Sequence, residues 1–143
     1  VLDLGCGSGI LAIAALLYGA NHADGCAIDP KAPETAKSNA ALNGIGDNLL
    51  DIYAGDCLAD SKLRSLLSSS GGYDIIFANI VADVIISLCP SVPSWLKDGG
   101  IFICSGVIDG RQSEVEAAIH SCGLNILKHM QSENWHCFIS RKE

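Results

Sequence analysis

The chain has 143 residues, 49% of them hydrophobic and 17% charged, with a formal net charge of -7, which is enough apolar side chain for a single globular domain with a sizeable core. The acidic excess is spread out rather than blocked, which excludes a bare phosphate-backbone binder with clustered Lys and Arg, so no direct nucleic-acid partner is expected. No run approaches the ~20 apolar residues of a membrane span and no charged leader precedes a short apolar core, so the expectation is a cytoplasmic protein without a membrane partner.

The seven cysteines stand at 6, 26, 57, 89, 104, 122 and 137, with no C-x-x-C pair and an odd total, a pattern expected of reduced, mostly buried thiols. Val1 already lies inside a strand pattern, so the chain is expected to be a fragment of a longer protein.

Short apolar runs alternate with longer segments of helical period. In chain order the expected elements are a strand over 1–4, a helix over 9–18, a strand over 25–28, a helix over 30–43 and a strand over 49–54. A helix over 60–69, a strand over 73–79, a helix over 82–96, a strand over 100–105 and a helix over 110–122 follow, with "SSSGG" at 68–72 as a loop. Connections of that length between strands imply a parallel sheet with helices on both faces. After Gly123 two strand-like runs, "LNILKHM" and "WHCFISRK", are joined by a few polar residues and read as an antiparallel hairpin that finishes the sheet. In such a fold ligands bind at the carboxyl ends of the strands, which directs attention to Gly5–Gly9, Asp29, Asp56 and Asn79.

The opening stretch "VLDLGCGSGILAIAA" turns an apolar strand through Gly5, Gly7 and Gly9 into a helix. A dinucleotide G-x-G-x-x-G loop needs its third glycine at position 10, where Ile10 stands, and no Lys-Ser or Lys-Thr follows to make a triphosphate cradle. Glycines there let the backbone turn sharply and approach a ligand closely, or serve only as packing devices.

Taken with "IDPKAPETAKSNAALNG", "YDIIFANIVADVI", "LKDGGIFICSGVI" and "ENWHCFISRK", the loop resembles that of the seven-stranded, class I methyltransferases that use S-adenosylmethionine. The likeness is nearest to the bacterial family (PrmA) that methylates the eleventh protein of the large ribosomal subunit. It implies an α/β, Rossmann-like sheet of strand order 3-2-1-4-5-7-6 with the last strand antiparallel, S-adenosylmethionine as cofactor, S-adenosylhomocysteine as product and no metal. It also implies methyl transfer to an amino group, a lysine side chain or N-terminus, of a large-subunit ribosomal protein. Substrate recognition in that family lies in a separate N-terminal domain that these residues do not include. A small-molecule methyltransferase of the same fold and a non-catalytic scaffold are the alternatives.

Carried over residue by residue, the resemblance places Asp3, Gly5, Cys6 and Gly7 around the methionine half of the cofactor. Gly9 is left between direct contact and helix packing. Ile28 would lie on the adenine face, Asp56 would accept from the adenine amino group or else serve as a turn or helix-start residue, and the Cys57 amide would meet a ring nitrogen. Relatives carry an acid at the ribose, but this chain reads Gly25-Cys26-Ala27-Ile28-Asp29-Pro30. Only Asp29 remains, as a ribose contact if the chain bends or as a cap for the following helix. Weaker cofactor binding than in relatives is the expectation.

Asn79, in "FANIV" where other amino-group enzymes carry N-P-P-Y, is the expected catalytic residue, its alternative being a cap on the next helix. His22, His120, His129 and His136 lack metal-ligand spacing. Trp95 reads as packing against the sheet and Trp135 as core or edge packing in the hairpin. Cys6 has no local base to make it a nucleophile.

Overall fold

The computed structural model describes residues 1–143 as seven strands and six helices. In chain order they are β1 (Leu2–Leu4), α1 (Ile10–Leu17), β2 (Ala23–Ala27), α2 (Ala32–Leu42), β3 (Leu50–Ala54), α3 (Ser61–Ser69), β4 (Tyr73–Asn79), α4 (Ala82–Leu88), α5 (Val92–Trp95), β5 (Leu96–Ile108), α6 (Gln112–Ser121), β6 (Leu124–Ser132) and β7 (Trp135–Lys142). The strand order is β3-β2-β1-β4-β5-β7-β6. Strand β2 is parallel to β1 and to β3, β4 is parallel to β5, and β7 is antiparallel to both β5 and β6. This is the sheet that the resemblance implies. No helix is long and apolar enough to cross a membrane.

Two compact units divide the chain, Val1–Leu66 and Leu67–Glu143. In the first, α2 presents Ala32, Ala36 and Ala40 to a core that includes Ala12, Ile13, Leu50 and Ile52. Alanine at four-residue spacing makes a shallow stripe, so this helix can lie close to its neighbours. Its end is a Schellman closure: the Ile45 amide donates to the Ala40 carbonyl and the Gly44 amide to the Ala41 carbonyl, both at 3.0 Å. Ile45, next after the left-handed Gly44 at φ 72°, is buried against the core.

In the second unit Trp95, Phe102, Phe138, Ile76, Ile85 and Ile119 are fully buried. The helix expected over 82–96 is interrupted. It stops at Leu88 and restarts at Val92, because Pro90 lacks the amide that would continue the ladder and Pro93 suits a helix's first turn. Strand β5 starts at Leu96, earlier than expected. Tyr73 pairs with Leu96 and Ile75 with Ile101, so the register shift absorbs the exposed Lys97, Asp98 and Gly99 as an irregularity. Trp95 is buried as expected, whereas Trp135 is 52% exposed opposite Ile108.

The far end of the hairpin is tied by a polar chain. Asp109 Oδ1 lies 2.6 Å from His136 Nε2, and His136 Nδ1 lies 2.9 Å from His129 Nε2. The His129 ring stacks on Phe138 at 4.3 Å between centroids. His136 is buried, so both ring nitrogens need partners, and the carboxylate fixes the proton on Nε2. Replacing His136 by Ala removes both bonds and leaves a cavity, and is expected to lower unfolding free energy by about 2–4 kcal/mol in urea titrations. His129→Ala removes only one of the two bonds, at an exposed ring that leaves no cavity, and is expected to cost about 1 kcal/mol; equal losses would contradict this division of roles.

Candidate active site

The turn after β1 hangs on one acceptor. The amides of Gly5 and Cys6 both donate to the Cys26 carbonyl of β2, at 2.8 and 3.0 Å. The chain then closes on itself through Gly9 N to Cys6 O at 2.8 Å and enters α1 through Ile13 N to Gly9 O at 2.8 Å. Gly5, Gly7 and Gly9 have φ of 74°, 52° and 80°, in the left-handed region that costs other residues roughly 1–2 kcal/mol each. A Cβ on Gly9 would stand 2.8 Å from Ala36 Cβ, whereas a Cβ on Gly7 would meet nothing within 4 Å. Gly9 is therefore where α1 approaches α2, and the open side of the loop is at Gly7.

Helix α1 has no side-chain cap at Gly9. Asp3 supplies one from the strand: its Oδ2 accepts the Ala12 amide at 3.3 Å, satisfying a donor in the first turn that would otherwise have no partner. Asp3 is 2% exposed. Burial pushes its carboxyl up to about 6, against the lowering effect of that bond. Cys6 is pushed up to about 12, chiefly by burial and then by Asp3, so its thiol stays protonated.

At the end of β2, Ala27 is buried and Ile28 is 74% exposed. Asp29 Oδ1 accepts the Lys31 amide at 2.9 Å, in the turn before α2, whose N-cap position is Lys31 with no side-chain cap bond. Asp56 likewise organises its own turn, with Oδ1 accepting the Leu58 amide at 2.8 Å. Cys57 is buried, and its thiol interacts with that of Cys26. That interaction is the main reason Cys57 titrates lower and Cys26 higher than a free thiol.

In the second unit, Asn79 closes β4 and is exposed. It does not cap the next helix, since the N-cap of α4 is Val81 and no side chain caps it. Its position depends on Gly106, which sequence reasoning missed. The Ile80 amide donates to Ser105 O at 3.2 Å, and a Cβ on Gly106 would come within 2.8 Å of Ile80 O and 3.1 Å of Asn79 Oδ1. The Asp3 cap and the Cys26–Cys57 thiol pair were also missed, because each joins residues far apart in the chain.

An acidic-to-helix turn of glycines open at Gly7, in a sheet of this order, defines the class: the fold is that of the S-adenosylmethionine-dependent methyltransferases. The chain belongs to the ribosomal protein L11 methyltransferase (PrmA) family, whose model matches residues 1–143. A solved ribosomal protein L11 methylase from Lactobacillus delbrueckii subsp. bulgaricus is 35% identical and superposes with a TM-score of 0.86 over 99% of this chain and 69% of that one. The ribosomal protein L11 methyltransferase of Bacillus subtilis (strain 168) is 37% identical over 143 residues, covering 99% of this chain and 43% of the relative. That of Agathobacter rectalis is 40% identical over 135 residues, covering 94% and 42%. The chain thus spans about two fifths of the length of these curated relatives. SMU.776, complexed with SAH, shares the fold at 13% identity and a TM-score of 0.82, covering 98% of this chain and 44% of its own.

The buried Asp3 carboxylate makes a pH prediction. Its folded value, about 6, lies above the 3.8 of an ordinary aspartate, so the protonated form folds better. Stability is fully present below the unfolded value and is lost as pH rises from about 4 to about 6, by on the order of 3 kcal/mol. Asp3→Asn keeps an acceptor for Ala12 without the charge. Its stability relative to the parent should rise across that window in urea titrations at pH 4 and 7; a constant difference would contradict the raised carboxyl.

Proposed function

We propose that the intact protein transfers the methyl group of S-adenosylmethionine to an amino group of a large-subunit ribosomal protein, L11 by the names of its relatives. The observation that carries this reading is the Gly5–Gly9 loop, held by the Cys26 carbonyl and open at Gly7, in a chain matched along its whole length by the family. The residues fit the cofactor chemically. Exposed loop backbone at Gly5 and Gly7 suits the methionine half, the exposed Ile28 side chain suits an adenine face, and Asp56 with the Cys57 amide supplies an acceptor and a donor for its edge. The buried Asp3 carboxylate suits a cationic group nearby, and Cys6 lines the same turn. With Ala27 where relatives carry the ribose acid, Asp29 is the carboxylate left to reach the ribose.

Bound S-adenosylmethionine supplies an electrophilic methyl on a sulfonium. The transfer is an in-line displacement in which a nitrogen–carbon bond forms as the carbon–sulfur bond breaks, so placement of the nucleophile matters more than acid–base chemistry. A lysine amine, of reference pKa ~10.4, must first shed its proton, and a desolvated setting beside uncharged acceptors favours the neutral form. Asn79 Oδ1 and the adjacent main-chain carbonyl accept from that amine and aim its lone pair, and the nitrogen's surplus proton then leaves to solvent. Gly106 is a positioning residue for Asn79. The closed hairpin Asp109–His136–His129 takes no part.

Labelled S-adenosylmethionine incubated with ribosomal extract should place methyl groups on L11 and none on a panel of small amines; the reverse would favour a small-molecule enzyme. Asn79→Ala is expected to lower kcat by about 10²-fold or more at saturating cofactor while leaving cofactor affinity within a few-fold; full turnover would remove Asn79 from the chemistry. A scaffold that binds no cofactor has Ala27 as its support. Ala27→Asp is expected to tighten S-adenosylhomocysteine binding about tenfold, near the ~1.5 kcal/mol of one charge-assisted hydrogen bond. Unchanged affinity would show that the missing ribose acid costs this chain nothing.

A further inference from the structure

In the first unit, at the amino-terminal ends of β2 and β3 and so at the opposite end of those strands from Ala27, three side chains converge without a part in methyl transfer. Asp24 of β2 is paired in register with Asp51 of β3, which sets two carboxylates directly across from one another, a costly arrangement for like charges. His22, two residues before Asp24, places Nε2 3.4 Å from Asp24 Oδ1 and 3.3 Å from Asp51 Oδ2. The three ligand atoms lie within 4.8 Å of one another.

A single Nε2 proton serves one carboxylate at a time, and both separations exceed the ~2.7–2.9 Å of a charge-assisted hydrogen bond. They match a different arrangement. Imidazole nitrogen and carboxylate oxygen bind Zn²⁺ at ~2.0–2.2 Å, and adjacent ligands of a tetrahedral ion are then about 3.3–3.5 Å apart. The Asp24 side chain is only 12% exposed, while those of His22 and Asp51 are 43% and 53% exposed, giving a seated ligand and an entry path on one cluster.

We propose that His22, Asp24 and Asp51 form a binding site for a divalent first-row transition cation, with zinc the best match in donor type and spacing. Three protein ligands leave a fourth position for water. The ion ties β3, first in the strand order, to β2 and replaces carboxylate repulsion with shared coordination. Histidine spacing along the sequence does not reveal the site, because His22 pairs with acids on its own strand and on the next.

The test uses the intact protein, stripped with chelator and kept reduced, titrated with Zn²⁺ by calorimetry and with Co²⁺ by absorption. Wild type should bind one more equivalent than His22→Ala, with a rise in Tm that the variant lacks, and Asp51→Asn should weaken that equivalent at least tenfold. Both substitutions are at half-exposed side chains, and an unchanged metal-free Tm would verify that the fold survives. Should His22→Ala fail to fold, His22→Gln carries the same comparison. Co²⁺ at this site should give weak visible bands without the intense near-ultraviolet band of thiolate ligation, which separates it from the cysteines. Equal stoichiometry and Tm shift in wild type and His22→Ala, or binding only with a thiolate band, would overturn the proposal.

Discussion

The carbonyl oxygen of Cys26 is the point on which the glycine loop of the first unit depends. By accepting two successive amides, those of Gly5 and Cys6, it bends the chain out of β1 within two residues and fixes the loop against β2. Everything downstream inherits that geometry: the left-handed glycines, the entry into α1, and the Asp3 carboxylate beneath the helix's first turn. Two bonds to one oxygen demand that β2 run close under the loop. Gly25 permits this, since a Cβ there would stand 2.7 Å from Ile52 Cδ1 and 3.1 Å from the Cys6 side chain.

Asp3 caps a helix from inside the core. Its carboxyl is desolvated and accepts the Ala12 amide, so keeping it ionised at neutral pH costs the fold stability. A purely structural cap would be better served by an uncharged side chain, and a charge held at such a cost is characteristic of sites that meet a charged ligand. Asn79 makes the complementary case. It is neutral, exposed at a strand end and approached by backbone at Gly106, which suits a group that must orient an uncharged amine without stabilising its protonated form.

Much of this was legible in the sequence because it is local. The strand at 73–79 and the hairpin after Gly123 follow from apolar patterning, and the glycine loop follows from its spacing. Where the pattern misled, a nearby residue explains it: Pro90 ends α4 where helical periodicity runs on, and Lys97–Gly99 bulge from β5 where the glycines suggested a later start. What stayed hidden is long-range. Gly9 could be assigned to packing only once Ala36 was seen against it, and His22 gains meaning only from Asp51 on the neighbouring strand. Family resemblance supplied the strand order, which periodicity cannot.

The central claim is that the glycine loop is open at Gly7 in order to admit a ligand's close approach, whereas Gly9 serves packing. S-adenosylhomocysteine affinity of Gly7→Ala, measured by calorimetry beside its unfolding free energy, separates the two. The account predicts a modest stability loss of about 1–2 kcal/mol, since only the left-handed conformation is penalised, with affinity falling by tenfold or more. Affinity equal to that of the parent protein, at the same modest loss of stability, would mean that the ligand does not approach this loop.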